Sequence, residues 1–103
     1  MLLREIAHAR TGDKGDVANI CVIAYRAEDY ALLERHVTAE RVAELLQGIA
    51  RGEVVRYAMP RIGALNFVLG EALGGGVTRS LALDAHGKGL SSAILRLELP
   101  VSR

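Results

Sequence analysis

The run His8-Ala9-Arg10-Thr11-Gly12-Asp13-Lys14-Gly15-Asp16-Val17-Ala18-Asn19 constrains this chain more than any other feature. Apolar, strand-like residues stand on both sides of it, and its glycines and short polar side chains favour a reversal of the chain. The sequence therefore predicts a strand over Leu2–Ala9, a polar turn, and a second strand over Ala18–Tyr25. In the first strand Ile6 and His8 share one face and Ala7 and Ala9 the other. The second is apolar on both faces, which suits a central place in a sheet.

Beyond this hairpin the pattern alternates helices and strands. Glu28–His36 reads as a short helix with Tyr30, Leu33 and Val37 on one side. Thr38 is a good N-cap for a following helix, with Glu40 in its first turn. Val42, Leu45, Leu46 and Ile49 keep the spacing of a buried helical face, and Gly52 is the expected stop. Val54–Met59 reads as a strand ended by Pro60. Leu65, Val68, Leu69, Ala72 and Leu73 repeat with helical spacing up to Gly74-Gly75-Gly76, so a further helix carrying Asn66 is predicted there. Val77–Leu83 reads as a strand, Asp84–Gly89 as a turn, and Ala93–Val101 as a last alternating strand, with a helical start near Leu90–Ala93 as a second reading. The expected order is ββαβαββ, an α+β arrangement with helices on one face of a mainly antiparallel sheet.

Composition narrows the classes of function. Half of the residues are hydrophobic but only 4% are aromatic, so Leu, Val, Ile and Ala must fill the core. Thirteen Lys and Arg against twelve Asp and Glu leave a net charge of +1, without the basic stripe and stacking aromatics of a nucleic-acid binder. No stretch approaches the roughly 18 apolar residues of a spanning helix, and Met1-Leu2-Leu3-Arg4-Glu5 does not open like a signal peptide. The single cysteine, Cys21, excludes an internal disulfide. A cytoplasmic protein of one domain, residues 1–103, without membrane or nucleic-acid partners, is expected.

Two runs carry groups able to do chemistry. In the first, Arg10 and Lys14 favour an anion such as a carboxylate or phosphate, and Gly12 and Gly15 let backbone N–H groups converge on it. Asp13 and Asp16 are too few oxygens for a dedicated calcium or magnesium site, and no metal or cofactor is expected. The same charges also suit a solvated turn that pairs them with one another. His8, just before the turn, is a candidate for proton transfer; its other reading is a packed strand histidine. In the second run, Gly74, Gly75 and Gly76 permit close backbone approach, and Thr78, Arg79 and Ser80 supply donors, although the spacing is not that of a Walker loop. There the alternative is a helix stop and connection. Cys21, among Ile20, Val22 and Ile23, reads as a buried inert thiol. His8, His36 and His86 lack zinc spacing.

Taken together, His8–Asp16 with Ala18-Asn19-Ile20, then Leu65-Asn66-Phe67-Val68-Leu69, then Ala72–Leu81, then Leu83-Asp84 with Gly87-Lys88, resemble the AtuA-like ferredoxin-fold domain. That domain forms the C-terminal part of acyclic terpene utilisation AtuA proteins and also occurs as a separate small chain. The resemblance implies a ferredoxin-like two-layer sandwich, with the N-terminal hairpin as an addition to a plain βαββαβ order. One cysteine cannot hold an iron–sulfur cluster, so the name concerns the fold. The resemblance further implies an accessory subunit that works with a separate AtuA-like large chain in the catabolism of acyclic terpenoid or related acyl compounds.

On that reading Arg10, Lys14 and Arg79, with the Gly74–Gly76 backbone and Thr78, hold the anionic part of an acyl or acyl-CoA ligand. Asp13, Asp16 and Asn19 orient them, and His8 handles any proton transfer. The rival reading is a structural oligomerisation or interaction module, a homodimer or higher homo-oligomer, whose polar runs only set turns and contacts. An enzyme acting alone is disfavoured, because no nucleophile–base pair is readable.

Overall fold

The computed structural model of the chain describes residues 1–14, 17–46, 52–70 and 88–101. After a single 3-10 turn at Leu3–Glu5, strand β1 runs over Ala7–Lys14 and β2 over Val17–Ala24. A second 3-10 turn, Ala27–Asp29, leads into helix α1, Tyr30–His36, followed by α2, Ala39–Leu45. Strand β3, Val54–Met59, and strand β4, Ala64–Leu69, flank a 3-10 turn at Pro60–Ile62. Helix α3 covers Lys88–Ile94.

The four strands form one antiparallel sheet in the order β1-β2-β4-β3. This is the α+β, ferredoxin-like arrangement that the sequence predicts, with β2 inside the sheet as its two-sided apolarity requires. The order becomes clear when the chain is read cyclically from β2. Strand, helices, strand, strand, helix, and then β1, reproduce βαββαβ. Among the described elements the hairpin strand thus takes the place of the sixth, and it sits at the sheet edge beside β2.

One sheet face is packed. Ile20 and Val22 of β2 and Leu65, Phe67 and Leu69 of β4 are buried against Leu33, Val37, Val42, Leu46, Leu90 and Ile94 from the helical side. Each fully buried side chain of this size contributes about 1.5–3 kcal/mol. Polar links tie the layers together. Thr38 caps α2 by accepting from the Arg41 backbone N–H at 3.2 Å, as its sequence position predicts. Arg56 of β3 donates to the carbonyls of Glu34 and Val37 at 2.8 and 3.0 Å, satisfying acceptors at the end of α1. Thr11 Oγ1 is hydrogen-bonded to Ser91 Oγ of α3.

Several expectations are corrected. The first strand begins at Ala7, not Leu2. Leu3 and Ile6 are both buried three residues apart, and the Glu5 carboxylate accepts from the Leu2 N–H at 2.7 Å, so this stretch coils instead. The polar run is mostly ladder rather than turn, since Lys14 already pairs with Val17. The helix predicted across Leu65–Leu73 is strand β4 over its described part. Leu65, Phe67 and Leu69 are buried and Asn66 and Val68 only partly so, a period of two rather than 3.6.

Helix α2 ends at Leu45, and Leu45 is exposed rather than core. Ile49 lies outside the described residues. Gly52 is no helix stop: its N–H donates to the Gly70 carbonyl at 2.9 Å. Lys88 and Gly89 open α3 instead of closing a turn, and Ala93 and Ile94 finish it. Of the predicted last strand only an isolated bridge, Leu2 to Glu98, is present, with Leu97 and Leu99 buried beside it. The strand predicted at Val77–Leu83 and the turn at Asp84–Gly87 lie outside the described residues.

Candidate functional site

Thr11 and Ser91 fix the sidedness of β1. Thr11 faces α3, so by alternation His8, Arg10 and Gly12 face away from the helices. The sheet register then lays out three transverse rows on this open face. Gly12, Asn19, Val68 and Val55 form one. Arg10, Cys21, Asn66 and Tyr57 form the middle row. His8, Ile23, Ala64 and Met59 form the third. Adjacent members of a row lie about 5 Å apart, so the middle row brings a guanidinium, a thiol, an amide and a phenol onto one strip.

The polar groups on this face organise one another. Asn19 Nδ2 donates to Asn66 Oδ1 at 3.2 Å, on the diagonal between β2 and β4. Gly12 makes room for it, since a Cβ at that position would stand 2.8 Å from Asn19 Oδ1. The bond leaves the Asn66 N–H₂ as donor and Asn19 Oδ1 as acceptor.

Cys21, directly opposite Arg10, is half-buried rather than buried. Burial pushes its thiol above the ordinary value, and the Arg10 charge pulls it partly back. It is thus a protonated thiol at neutral pH, and its expected inertness follows from desolvation. His8 stacks on Tyr25, with ring centroids 5.3 Å apart and planes inclined by 23°. Tyr57 and Tyr25 are 55% and 63% exposed, so two of the three tyrosines of this aromatic-poor chain are largely open to solvent.

Of the predicted site residues, His8, Arg10 and Asn19 share the open face. Asp13 and Lys14 are the last two residues of β1, paired with Ala18 and Val17. Asp16, Gly74, Gly75, Gly76, Thr78 and Arg79 lie outside the described residues. The described residues ahead of the second run end beside the turn of the β1–β2 hairpin. Leu69 pairs with Ala18, next to Val17 where the hairpin returns, and Gly70 follows it. Helix α3 runs from that end toward the start of β1: Ser91 bonds Thr11, and the Leu95 carbonyl accepts from the Arg4 N–H at 3.0 Å.

The family model for the AtuA ferredoxin-like domain matches residues 1–100. The chain belongs to this family. No curated protein and no solved structure matches it. For an AtuA ferredoxin-like domain, the open face adds three side chains that sequence reasoning undervalued. The spacing of Leu65, Val68 and Leu69 puts Asn66 on a helix, and only the alternation Leu65-Phe67-Leu69 moves it to a strand. Tyr57 carries no local mark within its strand, and apolar neighbours give Cys21 the pattern of a core residue.

Among the described residues of this AtuA ferredoxin-like domain no group of three or more potential metal ligands occurs, and no helix is long and apolar enough to cross a membrane. A groove of about 360 Å³ lies between Leu97 and the α2 residues Arg41, Glu44 and Leu45. Arg41 there is committed to the carbonyls of His36, at 3.1 Å, and Glu98.

Proposed function

We propose that this AtuA ferredoxin-like domain is an accessory subunit that docks on a separate AtuA-like large chain through its open sheet face. The observation that carries this reading is the asymmetry of the sheet. One face is covered by helices, and the other presents His8, Arg10, Asn19, Asn66 and Tyr57 with half-buried aliphatic neighbours and no described element packed on it. A flat face of this kind suits a contact better than an enclosed pocket, which small-molecule sites ordinarily need.

In this reading the assembled complex acts on acyclic terpenoid or related acyl compounds. The acyl or acyl-CoA ligand is held near the end of the sheet at the turn of the β1–β2 hairpin. Lys14 and Arg79 are assigned to its anionic part, with Asp13, Asp16, Thr78 and the Gly74–Gly76 backbone orienting them and His8 reserved for any proton transfer. Arg10 and Asn19, by their place on the open face, are assigned to the contact between chains.

The test is co-expression of the 103-residue chain with an AtuA-like large chain from the same genome, followed by affinity purification on either partner. A stoichiometric complex that the substitution Tyr57→Asp disperses, with the small chain still folded, is the expected result. Separate elution of the two chains, or a complex indifferent to Tyr57→Asp, overturns the reading. A stable homodimer of the small chain built on the same face would instead favour an oligomerisation module.

A further inference from the structure

We infer that the surface covering the open face brings a carboxylate side chain, an Asp or Glu of the partner chain, onto the middle row between Arg10 and Asn66. The inference rests on the docking reading and names the chemistry of its partner.

The three rows of the open face hold two basic side chains, His8 and Arg10, and no acidic one. No ion pair among the described residues reaches Arg10. The surrounding positions are largely apolar: Ile23, Val55 and Val68 are only half-exposed already. Covering them with another protein surface would also take the Arg10 guanidinium out of water. A buried charge without a partner costs several kcal/mol, more than a face of this size can absorb. The covering surface must therefore supply an anion.

The geometry selects a carboxylate. Arg10 offers a planar fork that takes a carboxylate through two parallel bonds. Asn66, whose Oδ1 is engaged by Asn19, adds its N–H₂ as a neutral donor to the same row, and Tyr57 ends that row on β3. Cα positions of Arg10 and Asn66 are two strand spacings apart, about 10 Å, a gap that an extended arginine and a short amide close around one small planar group. A second copy of this chain presenting the same face would bring another unpaired guanidinium and no acid, so the covering chain is a different one.

Binding of the AtuA-like large chain to Arg10 variants, each verified by thermal melting, tests this. Arg10→Met is expected to weaken the complex by roughly 30-fold or more, Arg10→Lys by less, and wild-type binding to weaken with salt more steeply than that of Arg10→Met. Carbodiimide labelling of the large chain should find one Asp or Glu protected in the complex and exposed again with Arg10→Met. Equal affinity for wild type and Arg10→Met, or no carboxylate protected, overturns the inference and leaves docking intact. Absence of any complex overturns both, and so does an open face occupied by a second copy.

Discussion

Asn19 Nδ2 meets Asn66 Oδ1 at 3.2 Å across the β2–β4 ladder, and it does so over a glycine, Gly12, whose missing Cβ is the space that Asn19 Oδ1 occupies. A side-chain hydrogen bond on a half-exposed face contributes about 1 kcal/mol, so the pair does more to set the positions of donors and acceptors than to hold the fold.

Gly12→Ala is therefore expected to move the Asn19 amide and break its bond to Asn66 while lowering stability by no more than about 1.5 kcal/mol. For a domain of this size each kcal/mol is about 4–8 °C in Tm. Thermal melting, with the side-chain amide resonances of Asn66 followed by NMR, checks both parts. Unchanged Asn66 resonances would refute the arrangement.

Gly52 and Gly70 form a second close approach, of backbone against backbone. A Cβ on Gly52 would lie 2.6 Å from the Gly70 carbonyl carbon, whereas one on Gly70 would find its nearest neighbours at 3.7 Å. Gly52→Ala should thus cost about 1–3 kcal/mol as the strand ends are pushed apart. Gly70→Ala should change stability by less than about 1 kcal/mol. The pair is compared by chemical denaturation, and equal losses would contradict the contact.

In β4, the buried Phe67 and the half-exposed Asn66 and Val68 make opposite demands. Phe67→Ala is expected to cost about 3–5 kcal/mol, and Val68→Ala clearly less. A helical segment with its stripe at Leu65, Val68 and Leu69 would reverse that order, so equilibrium unfolding of the two variants distinguishes the two structures directly.

Cys21 gives the pH-dependent prediction. Burial raises its pKa and Arg10 lowers it, and only the thiolate is alkylated. Iodoacetamide labelling of the native chain should be slow at neutral pH and accelerate only above the range of an ordinary thiol. Arg10→Met removes the favourable charge, pushes the pKa further up and slows labelling at any given pH below it. Faster labelling in the variant would show that Arg10 acts as a steric cover instead.

The sequence was most legible where one physical signal stood alone. Thr38 declared a helix start because an N-cap needs a short oxygen-bearing side chain. Met59-Pro60 declared a strand end because proline cannot continue the ladder. Ala18–Tyr25 declared an inner strand by carrying apolar residues on both faces, and the strand runs over Val17–Ala24. Legibility failed where two periods fit the same letters. Leu65, Val68 and Leu69 satisfy a helix, while Leu65, Phe67 and Leu69 satisfy a strand; the deciding fact is that Val54 and Val55 pair opposite Leu69 and Val68, a contact distant in sequence. For the candidate site, His8, Arg10 and Asn19 were legible because polar groups interrupt apolar segments. Asn66, Tyr57 and Cys21 joined them only through the register, which no local pattern encodes.

The hairpin strand also bears on how the chain reaches this structure. In the uninterrupted βαββαβ order, the strand beside β2 would arrive last, after a separation of most of the chain. Here Lys14 pairs with Val17 across two intervening residues, so the edge of the sheet is assembled by local hairpin closure, on the microsecond scale of such events. The slow search is confined to bringing β4 onto β2, as with Phe67 onto Ile20. The β3–β4 ladder, in which Met59 pairs with Ala64, is equally local, so the sheet consists of two local hairpins and its one distant pairing is that of β4 on β2.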